Sequence, residues 1–206
     1  GVGDTATLLT GDVLTAFVRD PEPLFLPKDP NPADGTEDWT EPMSAWTAGL
    51  TAVTQNLYMG TSPVLGPNDL KQSQPINMYY NLEVLEPGTT YYRRVDQVDA
   101  AGTVIEGPVW SFTVTPMTAH FPSPYDGALW RKTELTASWT PGQTAVSHAI
   151  YAGTDEALVA AGDPNALLAT IPVASFDATG LLEPATTYYW RIDEVDEAGT
   201  VYPGDV

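Results

Sequence analysis

The sequence predicts an all-β chain built as a tandem array of small β-sandwiches, and three observations carry that prediction. The chain repeats itself: residues 85–104 read LEPGTTYYRRVDQVDAAGTV and residues 182–201 read LEPATTYYWRIDEVDEAGTV, 97 positions apart. Self-similarity over so long a span divides 206 residues into repeated domains, a choice that length alone leaves open. Within each repeat, apolar residues alternate over short runs divided by Pro, Gly and Asp, the pattern of half-buried strands between turns. Helical spacing is confined to a short stretch near Asp155–Ala161.

The repeat extends in order along the chain. Pro32-Ala33-Asp34-Gly35 matches Pro124-Tyr125-Asp126-Gly127, Trp46-Thr47-Ala48-Gly49 matches Trp139-Thr140-Pro141-Gly142, and Tyr58-Met59-Gly60-Thr61 matches Tyr151-Ala152-Gly153-Thr154. The offset drifts slightly from pair to pair, as it does when small insertions and deletions fall in loops. Strands are expected in the second repeat at Glu134–Trp139, His148–Ala152, Leu168–Pro172, Ser175–Ala178 and Thr187–Val195. Several short strands in about a hundred residues make a two-sheet sandwich.

Leu85-x-Pro87-x-Thr89-x-Tyr91 and Leu182-x-Pro184-x-Thr186-x-Tyr188 narrow the class. Both resemble the tyrosine corner of fibronectin type III and related immunoglobulin-like sandwiches, in which Tyr91 and Tyr188 would enter strand F and bond upstream backbone through the hydroxyl. Trp46 and Trp139 resemble the strand B tryptophan of that core. The wording around YYWRIDEV is similar to a variant found in secreted and surface proteins of environmental bacteria. The resemblance implies a tandem fibronectin type III-like array, with an extracellular or cell-surface location. One position departs between repeats: Trp190 is expected to face the core, yet its counterpart is Arg93. Buried, that arginine needs an acid or a neighbouring molecule against this face.

A third, partial repeat opens the chain. Gly11-Asp12-Val13-Leu14-Thr15-Ala16-Phe17-Val18 fits the frame of Gly107-Pro108-Val109-Trp110-Ser111-Phe112-Thr113-Val114, the expected strand G of the first full module, and Thr7-Leu8-Leu9 falls on Thr103-Val104-Ile105. The expected organisation is therefore residues 1–22 as the F–G turn and G strand of a preceding or neighbouring-chain module, 23–116 as module 1, and 117–206 as module 2 without its own G strand. Gly204-Asp205-Val206 stands where that strand should begin. Two explanations stay open. The sequence is a window on a longer array, or the strand carrying Val13, Leu14, Phe17 and Val18 completes module 2 of another copy. Unpaired edges invite strand addition, and a head-to-tail contact of that kind grows into a fibre. Pro21-Glu22-Pro23, Pro27–Pro32 and Pro122-Ser123-Pro124 stiffen the expected junctions, which favours a rod.

Lys and Arg total 8 against 27 Asp and Glu, a formal charge of −19. Nucleic acid and anionic membrane surfaces are poor partners for such a chain, because both select basic patches. Cysteine is absent, which excludes disulfides and thiolate chemistry. No apolar run reaches the roughly 18 residues that span a bilayer.

Catalytic residues are not expected. His120 and His148 are the two histidines, neither recurs in the other repeat, and no phosphate loop or zinc spacing is present. Carboxylates are abundant but fall on turns, a poor setting for glycoside hydrolysis. Calcium is the one cofactor with candidate ligands: Asp96 and Asp99 recur as Asp193 and Asp196, and Asp29, Asp34 and Asp38 form a second cluster. Spacing of three along a strand sends the paired acids to opposite faces, which weakens the site. Tyr79 and Tyr80, with Tyr92 and Tyr189, are candidates for a polysaccharide platform. The functional expectation is a non-enzymatic extracellular structural protein that associates head-to-tail with itself, with an adhesion module or a spacer on a secreted enzyme as the alternatives.

Overall fold

A computed structural model describes residues 24–76, 79–82 and 84–206. In the first module, β1 (Lys28–Asn31), β3 (Met43–Thr47) and β6 (Tyr79–Asn81) form one sheet in the order β1-β3-β6. The facing sheet has the order β2-β9-β7-β4-β5, from β2 (Thr36–Trp39), β4 (Ala52–Gly60), β5 (Leu70–Pro75), β7 (Thr90–Asp99) and β9 (Val109–Val114), with β8 (Val104–Ile105) on the far end of β7. All pairs are antiparallel except β2 with β9. The first strand region therefore switches sheets between Asn31 and Thr36, and the turn is fixed there: Gly35 N–H donates to Ser111 O, while Ser111 N–H donates to the Asp34 carboxylate at 2.8 Å.

The second module repeats this plan in part. One sheet has the order β10-β11-β14, from β10 (His120–Ser123), β11 (Thr136–Thr140) and β14 (Ser175–Asp177). The other has the order β13-β12-β15-β16, from β12 (Ala145–Gly153), β13 (Leu167–Ile171), β15 (Tyr189–Asp196) and β16 (Val201–Tyr202). Helix α1 (Glu156–Ala161) follows β12; the Asp155 carboxylate accepts the Ala157 and Leu158 amides at its start, and Gly162 at φ 62° ends it. Both units are immunoglobulin-like, fibronectin type III-like sandwiches. The strands expected from sequence in the second repeat are present with their ends moved by a few residues.

Alternation explains the cores. Along β4 the buried residues are Ala52, Gln55, Leu57 and Met59, and along β9 they are Trp110, Phe112 and Val114. These meet Trp46 of β3 and Val95 of β7 in two clusters, one around Trp46, Leu57, Val95 and Trp110, the other around Met59, Phe112 and Val114. The second module has a single cluster of this kind, Trp139, Ile150 and Ile192, with Trp190 packed against it. Each fully buried apolar side chain contributes about 1.5–3 kcal/mol, so the second module stands on a smaller core.

A buried polar chain runs through each core at the same place. In module 1, Trp46 Nε1–H donates to Gln55 Oε1, and Gln97 Oε1 accepts from both Gln55 Nε2 and the Gly49 amide, each at 3.2 Å. In module 2 the corresponding residues are Trp139, His148, Glu194 and Gly142: Trp139 Nε1 lies 3.3 Å from His148 Nδ1, that nitrogen meets Glu194 Oε2, and Glu194 Oε1 accepts the Gly142 amide. A neutral amide network has become an ionisable one in an equally buried setting. The chain links the inner strands of both sheets, so it orients the indole while satisfying its N–H.

Two stability measurements follow from these comparisons. His148→Gln sets a neutral amide against the buried Glu194 carboxylate in place of the imidazole and should cost about 1–3 kcal/mol. Adding Glu194→Gln rebuilds the network of module 1 and should recover most of that loss in chemical denaturation; no recovery would contradict the equivalence. Ala185 sits at φ 56° where module 1 has Gly88 at φ 71°. Ala185→Gly should therefore stabilise module 2 by about 0.5–1 kcal/mol, and a loss of stability in thermal melts would show that its conformation is not strained.

Candidate functional site

The residues that shape the site lie along strand β15 and the segment before β11. In module 1, β7 is flanked on one edge by β4 and on the other by β9, with Thr113 opposite Thr90, Phe112 opposite Tyr91, Ser111 opposite Tyr92, Trp110 opposite Arg93 and Val109 opposite Arg94. In module 2, β15 pairs with β12 on one edge, and β16 covers its C-terminal end. Among the described residues no strand occupies the place of β9. The equivalents of Thr90–Arg93 are Thr187, Tyr188, Tyr189 and Trp190, and β15 begins only at Tyr189. Without a second neighbour, Thr187 and Tyr188 have no ladder to join.

The consequence is a groove between the two sheets, lined by Ala119, His120, Trp139, Trp190, Ile192 and Gly204 among others. Its floor is core. Elsewhere in the same module Leu129 is 73% exposed and Trp130 96%. Trp130 follows the Asp126-Gly127 turn as Trp39 follows Asp34-Gly35, and Trp39 packs on the cluster of Met59, Phe112 and Val114. The indole that packs on the core in module 1 is thus turned to solvent in module 2.

An arginine cassette that precedes β9 is repeated in module 2. Arg94 holds Asp96 through two hydrogen bonds of 2.8 and 3.0 Å, its guanidinium lies 4.7 Å from the Tyr58 ring centre, and Asp96 Oδ1 accepts the Gly107 amide where β9 approaches. Arg191, Asp193, Tyr151 and Gly204 repeat it, with guanidinium–carboxylate distances of 2.7 and 2.6 Å and a Gly204 amide contact of 3.1 Å. Burial lowers the Arg94 pKa, but hydrogen bonding and charge from Asp96 more than offset it, and the net shift is upward. Gly204-Asp205-Val206 accordingly matches Gly107-Pro108-Val109, the segment that leads into β9. Val206 is as exposed as Val109, at 39%.

Arg93 has no such acid. Sequence reasoning expected an acid or a neighbouring molecule; instead the buried guanidinium donates to the backbone carbonyls of Asn31 and Pro32 and lies over the rings of Trp110 at 5.7 Å and Phe112 at 5.6 Å. Burial pushes its pKa down to about 10, against the charge of Asp34.

The other candidate residues fall as follows. Tyr91 Oη accepts the Glu86 amide at 3.2 Å and Tyr188 Oη the Glu183 amide at 2.9 Å, so each hydroxyl ties the chain ahead of strand F to that strand. Asp96 and Asp193 are engaged by arginines. Asp99 Oδ1 accepts the Ala101 and Thr103 amides, and Asp196 Oδ1 the Thr200 amide, closing the two F–G turns. Of the second cluster, Asp34 accepts from Ser111 and Asp38 from Thr115. Among the described residues no group of three or more His, Cys, Asp or Glu is placed to hold a metal ion. Tyr79 is exposed, whereas its neighbour Tyr80 packs on the Trp46 cluster, and Tyr92 lies on the other sheet, so these rings share no common face. His120 lies 3.5 Å from Asp38 at the junction of the modules, and His148 is in the core network. Val13, Leu14, Phe17, Val18 and the whole expected segment 1–22 lie outside the described residues. The groove, the exposed Trp130 and the polar chain were not found from sequence; Trp130 matches Trp39 only after a one-residue deletion, which hides the pair.

No family model matches the chain, and no curated protein does. Among solved structures, the fibronectin(III)-like modules of Clostridium thermocellum CbhA are similar at 11% identity over 84% of this chain and 87% of theirs, with a TM-score of 0.33. The FN1–FN3 domains of chicken CNTN1 are similar at 15% identity over 87% of this chain and 62% of theirs, TM-score 0.30. The two-domain fibronectin type III segment of chicken tenascin is similar at 14% identity over 86% and 97%, TM-score 0.30. The fold of this chain is read from its own sheet order, core tryptophans and tyrosine corners.

The turn acids give a pH prediction. Asp99 and Asp196 are held below the ordinary carboxylate range, chiefly by the Thr103 and Thr200 amides respectively. A lowered folded value contributes stability above the unfolded pKa of about 4 that is lost as pH falls through the folded value. Carboxyl NMR titration should find both aspartates titrating late in the acid series; ordinary midpoints would mean that the turns are not closed as described.

Proposed function

We propose that this protein is a non-enzymatic structural repeat protein of the cell exterior, which associates head-to-tail with itself into a filament or array through the open edge of its second module. The observation that carries this reading is the groove beside β15, lined by Trp139, Trp190 and Ile192, on the edge where module 1 carries β9 and the described residues of module 2 carry no strand. The sequence Gly11–Val18, which matches β9 in frame, is of the right length and character to fill it. An isolated edge over an open core is costly to leave in water, and addition of an extended segment supplies both backbone hydrogen bonds and apolar cover. Donor and acceptor are different segments of one sequence, so such a contact is heterologous and propagates.

The strongly acidic composition and the proline-rich junctions support a reach-and-spacing role over a chemical one. At the described junction, Asp38 accepts from Thr115 and faces His120, and Gln143 N–H donates to Pro116 O. Among the described residues no helix is long and apolar enough to cross a membrane.

Sedimentation and negative-stain imaging of the purified chain across a concentration series test the proposal. Concentration-dependent rods or fibres are expected, and deleting residues 1–18 should return the protein to monomers. A full-length chain that stays monomeric at every concentration, or a deletion that assembles as well as the parent, would overturn it.

A further inference from the structure

The geometry points to a self-cleavage site: the peptide bond between Asp29 and Pro30, held in a strained bulge of β1, is hydrolysed in acid water with the Asp29 carboxylate as nucleophile. Cleavage there parts the chain after residue 29 with no protease.

The bulge is a demand of the fold. Lys28 lies opposite Thr47 and Asn31 opposite Ala45, so Asp29 and Pro30 together oppose the single residue Trp46. Asp29 takes φ 52°, in the left-handed region. A side chain disfavours that region, and a following proline ring pushes its predecessor toward extended backbone, so Asp29 is strained on both counts. Module 2 repeats the bulge: His120 lies opposite Thr140 and Ser123 opposite Ser138, and Phe121, before Pro122, takes φ 50°. The strained step thus recurs with a phenyl ring in place of the carboxylate. The architecture requires the conformation and not the acid.

The acid is also free to react. Asp29 is exposed, and no described residue donates to its carboxylate, whereas Asp34 and Asp38 are held by Ser111 and Thr115. Ala45, Trp46 and Thr47 across from it on β3 carry no charge. Lys28 adjoins it on β1, and Arg93 donates beyond the bulge, to the carbonyls of Asn31 and Pro32.

The chemistry follows from these atoms. A carboxylate oxygen of Asp29 attacks the carbonyl carbon of its own residue and closes a succinic-type cyclic anhydride. The bond from that carbon to the Pro30 nitrogen breaks, and the nitrogen takes a proton from solvent and leaves as a secondary amine. Water then opens the anhydride, which gives Asp29 a free α-carboxylate and returns the proton. The sum is hydrolysis, with water as the only co-reactant. Proline suits the step because its nitrogen bears no N–H, so the competing attack of that nitrogen on the side chain is closed. Breaking the bond also removes the ring that strains Asp29.

The chain carries its own control. Asp163-Pro164 is the same dipeptide, but Asp163 is outside the left-handed region, and its Oδ1 accepts from the Asn165 amide at 2.8 Å and from Asn165 Nδ2 at 2.7 Å. That carboxylate is engaged in its own turn. Asp20-Pro21 lies outside the described residues.

The test is incubation of the full chain at the most acid pH at which circular dichroism shows its sheets intact, with fragments followed by intact mass. The cut after Asp29 should accumulate about tenfold or more faster than the cut after Asp163. In concentrated guanidinium chloride at the same pH the two should proceed at like rates, because unfolding releases both the strain and the turn. Asp29→Phe, which places the module 2 residue in the bulge, should abolish the first cut and leave the second unchanged. Asp29→Glu, whose longer side chain closes a less favourable ring, should slow the first. Equal rates in the folded chain, no cut after Asp29, or a preference for Asp29 that survives in denaturant would overturn the inference. So would a cut at this bond that persists in Asp29→Phe.

Discussion

Strand F lies at the centre of one sheet, and each face of the core depends on its having a neighbour on both edges. In module 1 that requirement is met by β4 and β9, and everything else follows: Trp110, Phe112 and Val114 reach the core, Trp39 closes over them, and Asp34 ties the sheet-switching turn to Ser111. In module 2 one neighbour stands and the other edge is open among the described residues, and each of those features is altered together. Strand F starts later, the second apolar cluster has no counterpart, and the Trp130 indole faces water. A sandwich is cooperative at this strand because backbone pairing and side-chain burial arrive with the same residues.

The two modules also show how a repeated fold keeps a geometric constraint while changing its chemistry. Each needs an acceptor for a buried indole N–H and a link from strand B to strand F. Gln55 and Gln97 provide it with neutral amides, His148 and Glu194 with an ionisable pair. The same holds at Arg93 and Trp190, where a cation stacked under rings and a ring stacked on rings fill equivalent space. The cassettes of Arg94 with Asp96 and Arg191 with Asp193 are retained almost unchanged. Their carboxylates receive the backbone of the incoming strand G, a task with little tolerance for substitution.

Much of the architecture was legible in sequence because it depends on local, directional signals. The duplicated Leu-x-Pro-x-Thr-x-Tyr motif marks the corner, alternation marks the strands, and the frame of Gly107–Val114 marks strand G. What escaped were relations between distant residues of unlike type. Nothing in the one-dimensional pattern equates Gln97 with Glu194, or says that Arg93 will bond the carbonyls of Asn31 and Pro32, since backbone acceptors carry no sequence signature. Sequence likewise does not show that Asp99 and Asp196 accept amides from their own loops, since an aspartate that does so looks identical, in sequence, to one that faces an ion.

Arg93, Arg94 and Arg191 lie inward together with Asp96, Asp193 and Glu194, so the exterior keeps the whole acid excess of the composition. Two copies approaching end to end would meet mutual repulsion, whose reach is set by the Debye length, about 10 Å at 0.1 M salt and about 30 Å at 0.01 M. Apolar contact acts only at close range. The ionic strength of the medium would therefore govern how quickly such copies come together, and dilute water would keep newly made chains apart until salt admits them to one another.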